Sequence, residues 1–206
     1  MQTRRGDWFE GWRLFTLLAL ILTGLCAGIA GMRGFEVEGM RMVIRFTARS
    51  SLLLFCLAFS AAALARLWPN GWTRWLRRNR RQLGLTFAAS HALHAGAIFA
   101  FAQMDPAGFA AATNLASYIF GGIGYAIIIA MAATSFDRSA AAIGPRAWRA
   151  LHLWGGYYLW AQFVISFGKR IPAMPFYSLF LIPLFAVLAL RLIAMASRSG
   201  QPVSAR

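Results

Sequence analysis

Apolar runs of about 20 residues recur along this chain, and they constrain its fold more than any other feature. A helix that is apolar on all sides needs lipid or a large core around it, and about 20 helical residues cross a hydrocarbon layer of about 30 Å. Strands of a membrane barrel would alternate between apolar and polar residues, and the runs do not. They predict six membrane spans, over residues 13–31, 49–67, 83–103, 115–135, 149–168 and 173–195.

Composition agrees with a membrane protein, since 59% of the 206 residues are hydrophobic and only 13% are charged. The first run resembles a cleaved signal peptide because Arg4 and Arg5 precede it. Its apolar stretch is longer than a typical signal core, so we interpret it as a retained helix. The sequence therefore predicts an all-α fold: a polytopic membrane helix bundle forming one domain over residues 1–206, without a soluble flavin or nicotinamide domain.

The 21 Lys and Arg residues are unevenly divided between the two sides of these spans. Fifteen lie on the side that holds both termini, and positive-inside bias predicts that this side is cytoplasmic. We expect the cell membrane, which is the inner membrane in a Gram-negative bacterium. The net charge of +15 lies at the edges of the apolar runs, so the expected partner is the lipid bilayer and not nucleic acid. The six remaining basic residues, predicted on the outer side, are Arg33, Arg41, Arg45, Arg49, Lys169 and Arg170.

The sequence also makes predictions for two connecting segments and for one pair of glycines. Residues 32–48 have mixed charge and fit either a short interfacial helix or an early start of the second span. Residues 73–82, "TRWLRRNRRQ", predict a short surface helix after a turn. Gly24 and Gly28 form a Gly-xxx-Gly pair, which is typical of close helix packing and is expected to act within the bundle.

All three histidines fall inside predicted spans, where an ionisable side chain is costly and indicates a functional site. His91 and His94 are three residues apart in the third span, hence on one helix face, and His152 lies near the start of the fifth. Both spans run outward from the cytoplasm. Helical rise places His91 roughly 12 Å and His152 roughly 5–12 Å from the cytoplasmic ends. Two imidazoles at similar depth could hold a haem iron from both sides, with His94 a further ligand candidate or a hydrogen-bonding neighbour. Structural hydrogen bonding is the alternative.

The fifth span also carries unusual polarity for a membrane helix. Its polar and aromatic side chains fit either a haem or quinone pocket or hydrogen bonds between helices. They are Trp154, Tyr157, Tyr158, Trp160 and Gln162.

Two stretches, "WLRRNRRQLGLTFAASHALH" and "PRAWRALHLW", resemble the ferric reductase-like transmembrane domain family over roughly spans two to five. That family includes the haem subunit of a bacterial methionine-sulfoxide reductase system and the membrane portion of NADPH oxidases. The resemblance implies six spans and one or two b-type haems held by histidines of the third and fifth spans. His94 matches the histidine after "LGL", and His152 matches the first histidine of the fifth span. The family's second histidine there is replaced by Ile165, with Ser166 beside it.

The resemblance implies a b-type-cytochrome-like protein that relays electrons across the bilayer, an oxidoreductase subunit without catalytic side chains of its own. One haem b is expected, with His91 restoring a pair with His152. A separate cytoplasmic flavoprotein or a quinone would be the electron donor. The alternative is a haem-free scaffold or assembly protein of the same fold. A small transporter is disfavoured because the spans contain no acidic residue and no inverted repeat.

Overall fold

The computed structural model describes the backbone of residues 9–199 and the side chains of residues 9–197. Within this range the regular structure is entirely helical, as predicted, and contains no strand. A 3₁₀ helix, Pro175–Phe180, precedes the last α-helix. The α-helices are α1 (Gly11–Gly31), α2 (Val37–Leu67), α3 (Gly71–Arg78), α4 (Arg80–Met104), α5 (Pro106–Ala112), α6 (Leu115–Ala133), α7 (Asp137–Gly168) and α8 (Leu181–Ser199).

Five helical segments of the described chain are long and apolar enough to cross a membrane: α1, α2, α4, α6 and Pro175–Ser197. The predicted fifth span lies in α7, which is not one of them. Its polar residues His152 and Gln162 and its paired glycines lower its mean hydropathy. Gly144 interrupts α7 just before Pro145, because a residue that precedes proline avoids the helical region, and its φ of 76° is one that glycine adopts readily. The part after this kink, residues 145–168, is roughly 36 Å long, which is enough for one crossing.

The α1–α2 connection resolves the two alternatives for residues 32–48. Helix α2 begins at Val37, so most of this segment is an early start of the second span. The chain reverses through the positive φ angles of Gly34 (67°) and Phe35 (57°). Gly39 then packs against α1, where a Cβ would lie 3.3 Å from the Ala30 carbonyl oxygen. The close approach buries Met40 against Ala30.

The predicted surface helix over residues 73–82 is confirmed for its first part. Asn70 caps α3 by accepting a hydrogen bond from the Thr73 amide at 3.0 Å, and the Thr73 hydroxyl accepts one from the Asn70 amide. Helix α3 ends at Arg78, and after Asn79 residues 80–82 already belong to α4. Leu76 is fully buried, so α3 is packed onto the bundle as well as lying at its surface. Helix α5, capped by Asp105, was not predicted.

Polar contacts define two ends of the bundle. At the first, which we call the Arg78 end, Arg78 pairs with Glu10 at 2.8 Å and Arg81 with Asp137 at 2.9 Å. These pairs bring the starts of α1, α4 and α7 together with α3. Arg66, near the end of α2, donates a hydrogen bond to Ser197 in α8 at 3.2 Å. The start of α1 and the end of α8 therefore lie at the same end of the bundle.

The opposite end, which we call the Tyr177 end, joins α2, α7 and the 3₁₀ helix. The guanidinium groups of Arg49 and Arg170 donate hydrogen bonds to the Tyr177 hydroxyl at 3.5 Å and 3.2 Å. The α1–α2 and α7–3₁₀ connections both lie on this side. Successive long helices therefore run between the two ends in alternating directions.

An aromatic cluster fills the middle of the bundle. The Phe55 ring stacks on Phe59, with ring centroids 5.0 Å apart, and contacts Phe87 of α4 and Phe163 of α7. Aromatic rings in such arrangements contribute about 0.5–1.5 kcal/mol per pair beyond the apolar area that they bury. This cluster joins α2, α4 and α7 at one level of the bundle.

The glycines that permit close helix packing are not the predicted pair. At Gly24 and Gly28 nothing approaches within 4 Å of the Cβ position, so the prediction of close packing within the bundle is wrong there. At Gly155 a Cβ would lie 2.9 Å from Ile127 of α6, and at Gly156 a Cβ would lie 3.2 Å from Phe59 of α2. Helix α7 therefore supplies close glycine contacts to α6 and α2, in addition to the Gly39 contact between α2 and α1.

Candidate functional site

His91 lies in the aromatic middle of the bundle. Its ring contacts Phe87 at a centroid distance of 4.7 Å, Tyr125 of α6 at 5.8 Å and Phe163 of α7 at 5.9 Å. The Tyr125 hydroxyl donates to the His91 carbonyl oxygen at 3.4 Å. The Nδ1 atom of His91 is buried and has no hydrogen-bond partner. A buried polar atom without a partner costs about 1–3 kcal/mol, and such an atom is also available to a ligand.

His94 lies one turn further along the same face of α4, with its ring centroid 5.7 Å from that of His91. Its Nδ1 lies 2.8 Å from the Thr47 hydroxyl of α2. That hydroxyl donates its proton to the Val43 carbonyl at 2.7 Å, so we assign the proton between His94 and Thr47 to the ring nitrogen. Nε2 is then the acceptor nitrogen of the ring.

Hydroxyl groups continue this polar contact between α2 and α4. Ser90 is fully buried, and its hydroxyl lies 2.9 Å from that of Ser51 and 3.1 Å from that of Ser50. Both helices therefore supply small polar side chains, and these side chains form hydrogen bonds with one another. In a bundle without water, such hydrogen bonds hold neighbouring helices together.

His152 has a separate environment at the Arg78 side of the bundle. Its Nε2 lies 3.3 Å from the Thr134 hydroxyl at the end of α6. Its ring stacks on Trp148 one turn earlier, with centroids 4.4 Å apart, and the Trp148 indole donates to the Thr134 carbonyl at 2.9 Å. These contacts tie the start of the predicted fifth span to the end of the fourth.

The structure brings His91 and His94 together and holds His152 at a different depth. Along α6, the partner of His91 is Tyr125 and the partner of His152 is Thr134, nine residues later, or roughly 13 Å of helical rise. Along α7, His152 precedes Phe163, which contacts His91, by eleven residues, or roughly 16 Å. Two axial nitrogens on one iron, each about 2 Å from the metal, would be about 4 Å apart. In this arrangement the predicted pair of His91 and His152 does not fit one haem iron.

The position where the family resemblance would place a second histidine in the fifth span does not face the interior of the bundle. Ile165 is 62% exposed and therefore points out of the bundle. Ser166, beside it, lines a small cavity together with His94. The α7 residues that share this cavity with His94 are Ser166 and Phe167. The hydroxyl of serine is a hydrogen-bonding group and a poor iron ligand compared with imidazole.

Two aromatic side chains of α7 form hydrogen bonds with neighbouring helices, as the interhelical interpretation of span five predicts for Tyr158 and Trp160. The Trp160 indole donates to the Leu184 carbonyl of α8 at 2.9 Å, and the Tyr158 hydroxyl donates to the Phe120 carbonyl of α6 at 2.8 Å. An open apolar groove of about 600 Å³ lies beside Trp154 and Tyr157. With the Tyr158 hydroxyl committed to α6, little in this groove is placed to fix the carbonyl of a quinone.

The cavity beside His94 is a feature that sequence reasoning did not predict. Its volume is about 130 Å³, and it lies at the Tyr177 end. The sequence does contain a signal, because Arg41, Arg45 and Arg49 recur every four residues along one side of α2. The two further cations, Lys169 and Arg170, approach only through the packing of α7.

The described residues contain no group of three or more His, Cys, Asp or Glu side chains that could hold a metal ion. None of the family models, curated proteins or solved structures compared with the chain matches it. The class that the structure itself defines is an all-helical bundle with several helices able to cross a membrane.

Proposed function

We propose that this chain is a ferric reductase-like membrane bundle that crosses the bilayer six times, with both termini in the cytoplasm. Five apolar helices and the kinked α7 supply the six crossings. The alternating helix directions and the basic α3 segment at the Arg78 end support the orientation. The bilayer is its main partner, and the cell membrane, or the inner membrane of a Gram-negative bacterium, is its location.

Within this layout, a haem-free scaffold or assembly role has the best support. The observation that carries it is the separation in depth of His91 and His152, each of which has its own local packing partners. The rings of Phe87 and Phe163 already contact the His91 ring and occupy the space beside it. The polar groups of α2 and α4 then serve to hold helices in register.

A b-type-cytochrome-like electron relay is the second candidate, and one observation favours it. The Nδ1 atom of His91 is buried without a partner, as expected of a nitrogen that meets a ligand in the working protein. A bound haem would supply one-electron chemistry, and its electrons would come from a cytoplasmic flavoprotein or a quinone. His91 and His152 would have to come to one level, with Phe163 displaced, before they could share an iron.

A reduced-minus-oxidised absorption spectrum separates the two candidates. The protein is expressed with ample haem precursor, purified in mild detergent and compared with a membrane cytochrome b prepared in the same way. The haem-free role predicts no b-type bands above background. Stoichiometric b-type bands would overturn it and establish the cytochrome.

Single variants then identify the ligands if bands appear. Loss of the bands in both His91→Ala and His152→Ala would support the predicted pair. Loss in His94→Ala with retention in His91→Ala would exclude that pair and assign His94.

A further inference from the structure

Four basic side chains line the cavity at the Tyr177 end. Arg45 and Arg49 approach from α2, and Lys169 and Arg170 follow the end of α7. The remaining lining residues are Ala48, His94, Ser166, Phe167 and Tyr177. Neither acidic residue of the neighbouring segment, Glu36 or Glu38, lines the cavity.

These cations are poorly compensated within the described residues. Arg45 pairs with Glu38 at 3.3 Å, but both side chains are about half exposed, so this pair contributes little. No ion pair of the described chain includes Arg49, Lys169 or Arg170. The Nε atom of Arg49 is buried without a hydrogen-bond partner. Such a cluster is repulsive unless an anion joins it.

Aromatic rings hold two of the cations in place before any ligand arrives. The Arg49 guanidinium lies 5.6 Å from the ring centroids of Phe176 and Phe180 and also contacts Tyr177. Arg170 lies 5.5 Å from the Tyr177 ring. Tyr177 is only 3% exposed, and its hydroxyl accepts hydrogen bonds from both arginines. Side chains fixed in this way lose little further freedom on binding.

The size and charge of the cavity select the ligand. A volume of about 130 Å³ accommodates roughly four water-sized groups of about 30 Å³ each, which suits the four oxygens of a phosphate. A phosphate monoester carries about −1.5 to −2 charges at pH 7, whereas a single carboxylate carries one. Guanidinium groups match the geometry of phosphate oxygens in paired hydrogen bonds.

We infer that the cavity lined by Arg45, Arg49, Lys169 and Arg170 binds a phosphate group at the outer end of the bundle. The inference does not depend on haem, because none of these four side chains belongs to the proposed haem ligands. The phosphate can be a soluble phosphate or the headgroup of an anionic lipid, since Tyr177 of the cavity lies near the start of Pro175–Ser197, a segment long and apolar enough to cross a membrane. Inorganic phosphate would present four oxygens and a charge of about −1.5 to −2, whereas a lipid phosphodiester would present two non-bridging oxygens and one negative charge. The same guanidinium groups can bind either of them.

The test compares two sources of phosphate on the full chain in neutral detergent. One arm titrates inorganic phosphate, with acetate at equal ionic strength as the control, and follows the melting temperature. The other arm measures retained lipid by native mass spectrometry in micelles that contain phosphatidylglycerol or phosphatidylcholine. The variants are Arg45→Gln and Lys169→Gln. Arg41→Gln is the matched control, because Arg41 lies one turn before Arg45 on α2 and contacts Phe101 outside the cavity.

Phosphate is expected to raise the melting temperature of the wild type more than acetate does. Each cavity variant should weaken that binding about tenfold, as expected for the loss of one charged hydrogen bond, and Arg41→Gln should not. A response to phosphatidylglycerol alone, lost in the same two variants, assigns the headgroup as the source. The inference fails if neither source binds in preference to its control, or if Arg41→Gln weakens binding as much as the cavity variants do. Circular dichroism shows whether each variant retains its helix content.

Discussion

His91 and His94 share one face of α4, yet their rings have different chemical surroundings. His94 is bonded to Thr47, whereas Nδ1 of His91 has no partner among aromatic neighbours. A spacing of three residues predicts the shared face and nothing about the partners. Which ring is satisfied depends on what α2 and α7 place beside it.

The two histidines therefore respond differently to replacement by leucine. His91→Leu should leave the free energy of unfolding unchanged or raise it, because it removes a buried polar atom that lacks a partner. His94→Leu should lower it by about 1 kcal/mol, because it removes a hydrogen bond between α2 and α4. Thermal unfolding in detergent, monitored by circular dichroism, measures both.

The paired variants also bear on haem. A protein that binds haem through His91 would lose stability in His91→Leu when it is purified with its cofactor. A greater loss of stability in His91→Leu than in His94→Leu would therefore contradict the haem-free proposal.

Helix α7 differs from the other long helices in how it reaches its neighbours. It carries Gly155 against α6 and Gly156 against Phe59, and its indole and phenol groups bond α6 and α8. The polar groups of α7, which keep its mean hydropathy below that of the other five segments, therefore serve contacts with other helices. Small residues and interhelical hydrogen bonds are the usual means of helix association in a membrane.

Gly155→Val tests the importance of this close approach. The added side chain would begin 2.9 Å from the stiff, branched Ile127, so the helices must separate. We expect a loss of about 1–3 kcal/mol in stability, as for other overpacked sites. Gly24→Val in α1 is the matched control, because nothing lies within 4 Å of its Cβ position.

The effect of each variant is measured by its melting temperature and by the fraction of protein that stays monodisperse in detergent. Equal effects of Gly155→Val and Gly24→Val would show that the α6–α7 contact is not the sensitive one.

The whole molecule has two chemically different ends. The Arg78 end joins the start of α1 to the end of α8 and carries the basic helix α3, whereas the Tyr177 end carries the cationic cavity. Basic residues on both ends would give conflicting orientation signals if each counted equally. The larger cluster lies at the Arg78 end, and its arginines are exposed beside Trp72, which suits a membrane surface.

Cysteine labelling in intact cells tests the orientation. Arg33→Cys lies in the α1–α2 connection and should react with a membrane-impermeant maleimide from outside. Arg77→Cys lies in α3 and should react only after the cells are opened. The native Cys26 and Cys56 are buried and should give a low background.

Labelling of Arg77→Cys in intact cells would reverse the proposed topology. Labelling of both variants from outside would be incompatible with the alternating path of the helices.

The sequence alone determined the helical class and the positions of most of the long apolar helices, because the length of an apolar run sets whether a helix can cross a bilayer. Residues 115–133 of the predicted fourth span, for example, coincide with α6. The start of α2 at Val37 did not follow from hydropathy, since its first turns mix charged and apolar residues, and some of the apolar ones pack against α1. The Gly24 pair was assigned to packing by its spacing, and spacing does not show which face a neighbour covers.

The tertiary structure decided the depth at which each histidine lies and which side chains lie next to one another. Counting from the ends of predicted spans placed His91 and His152 near one level, but the actual helices begin elsewhere and pair through Tyr125, Thr134 and Phe163. The cationic cavity likewise unites residues more than a hundred positions apart in the chain. Local sequence determines which segments form apolar helices, because hydropathy is a property of each residue. Which side chains meet depends on how the helices turn and slide against one another, and that is settled only when all of them pack.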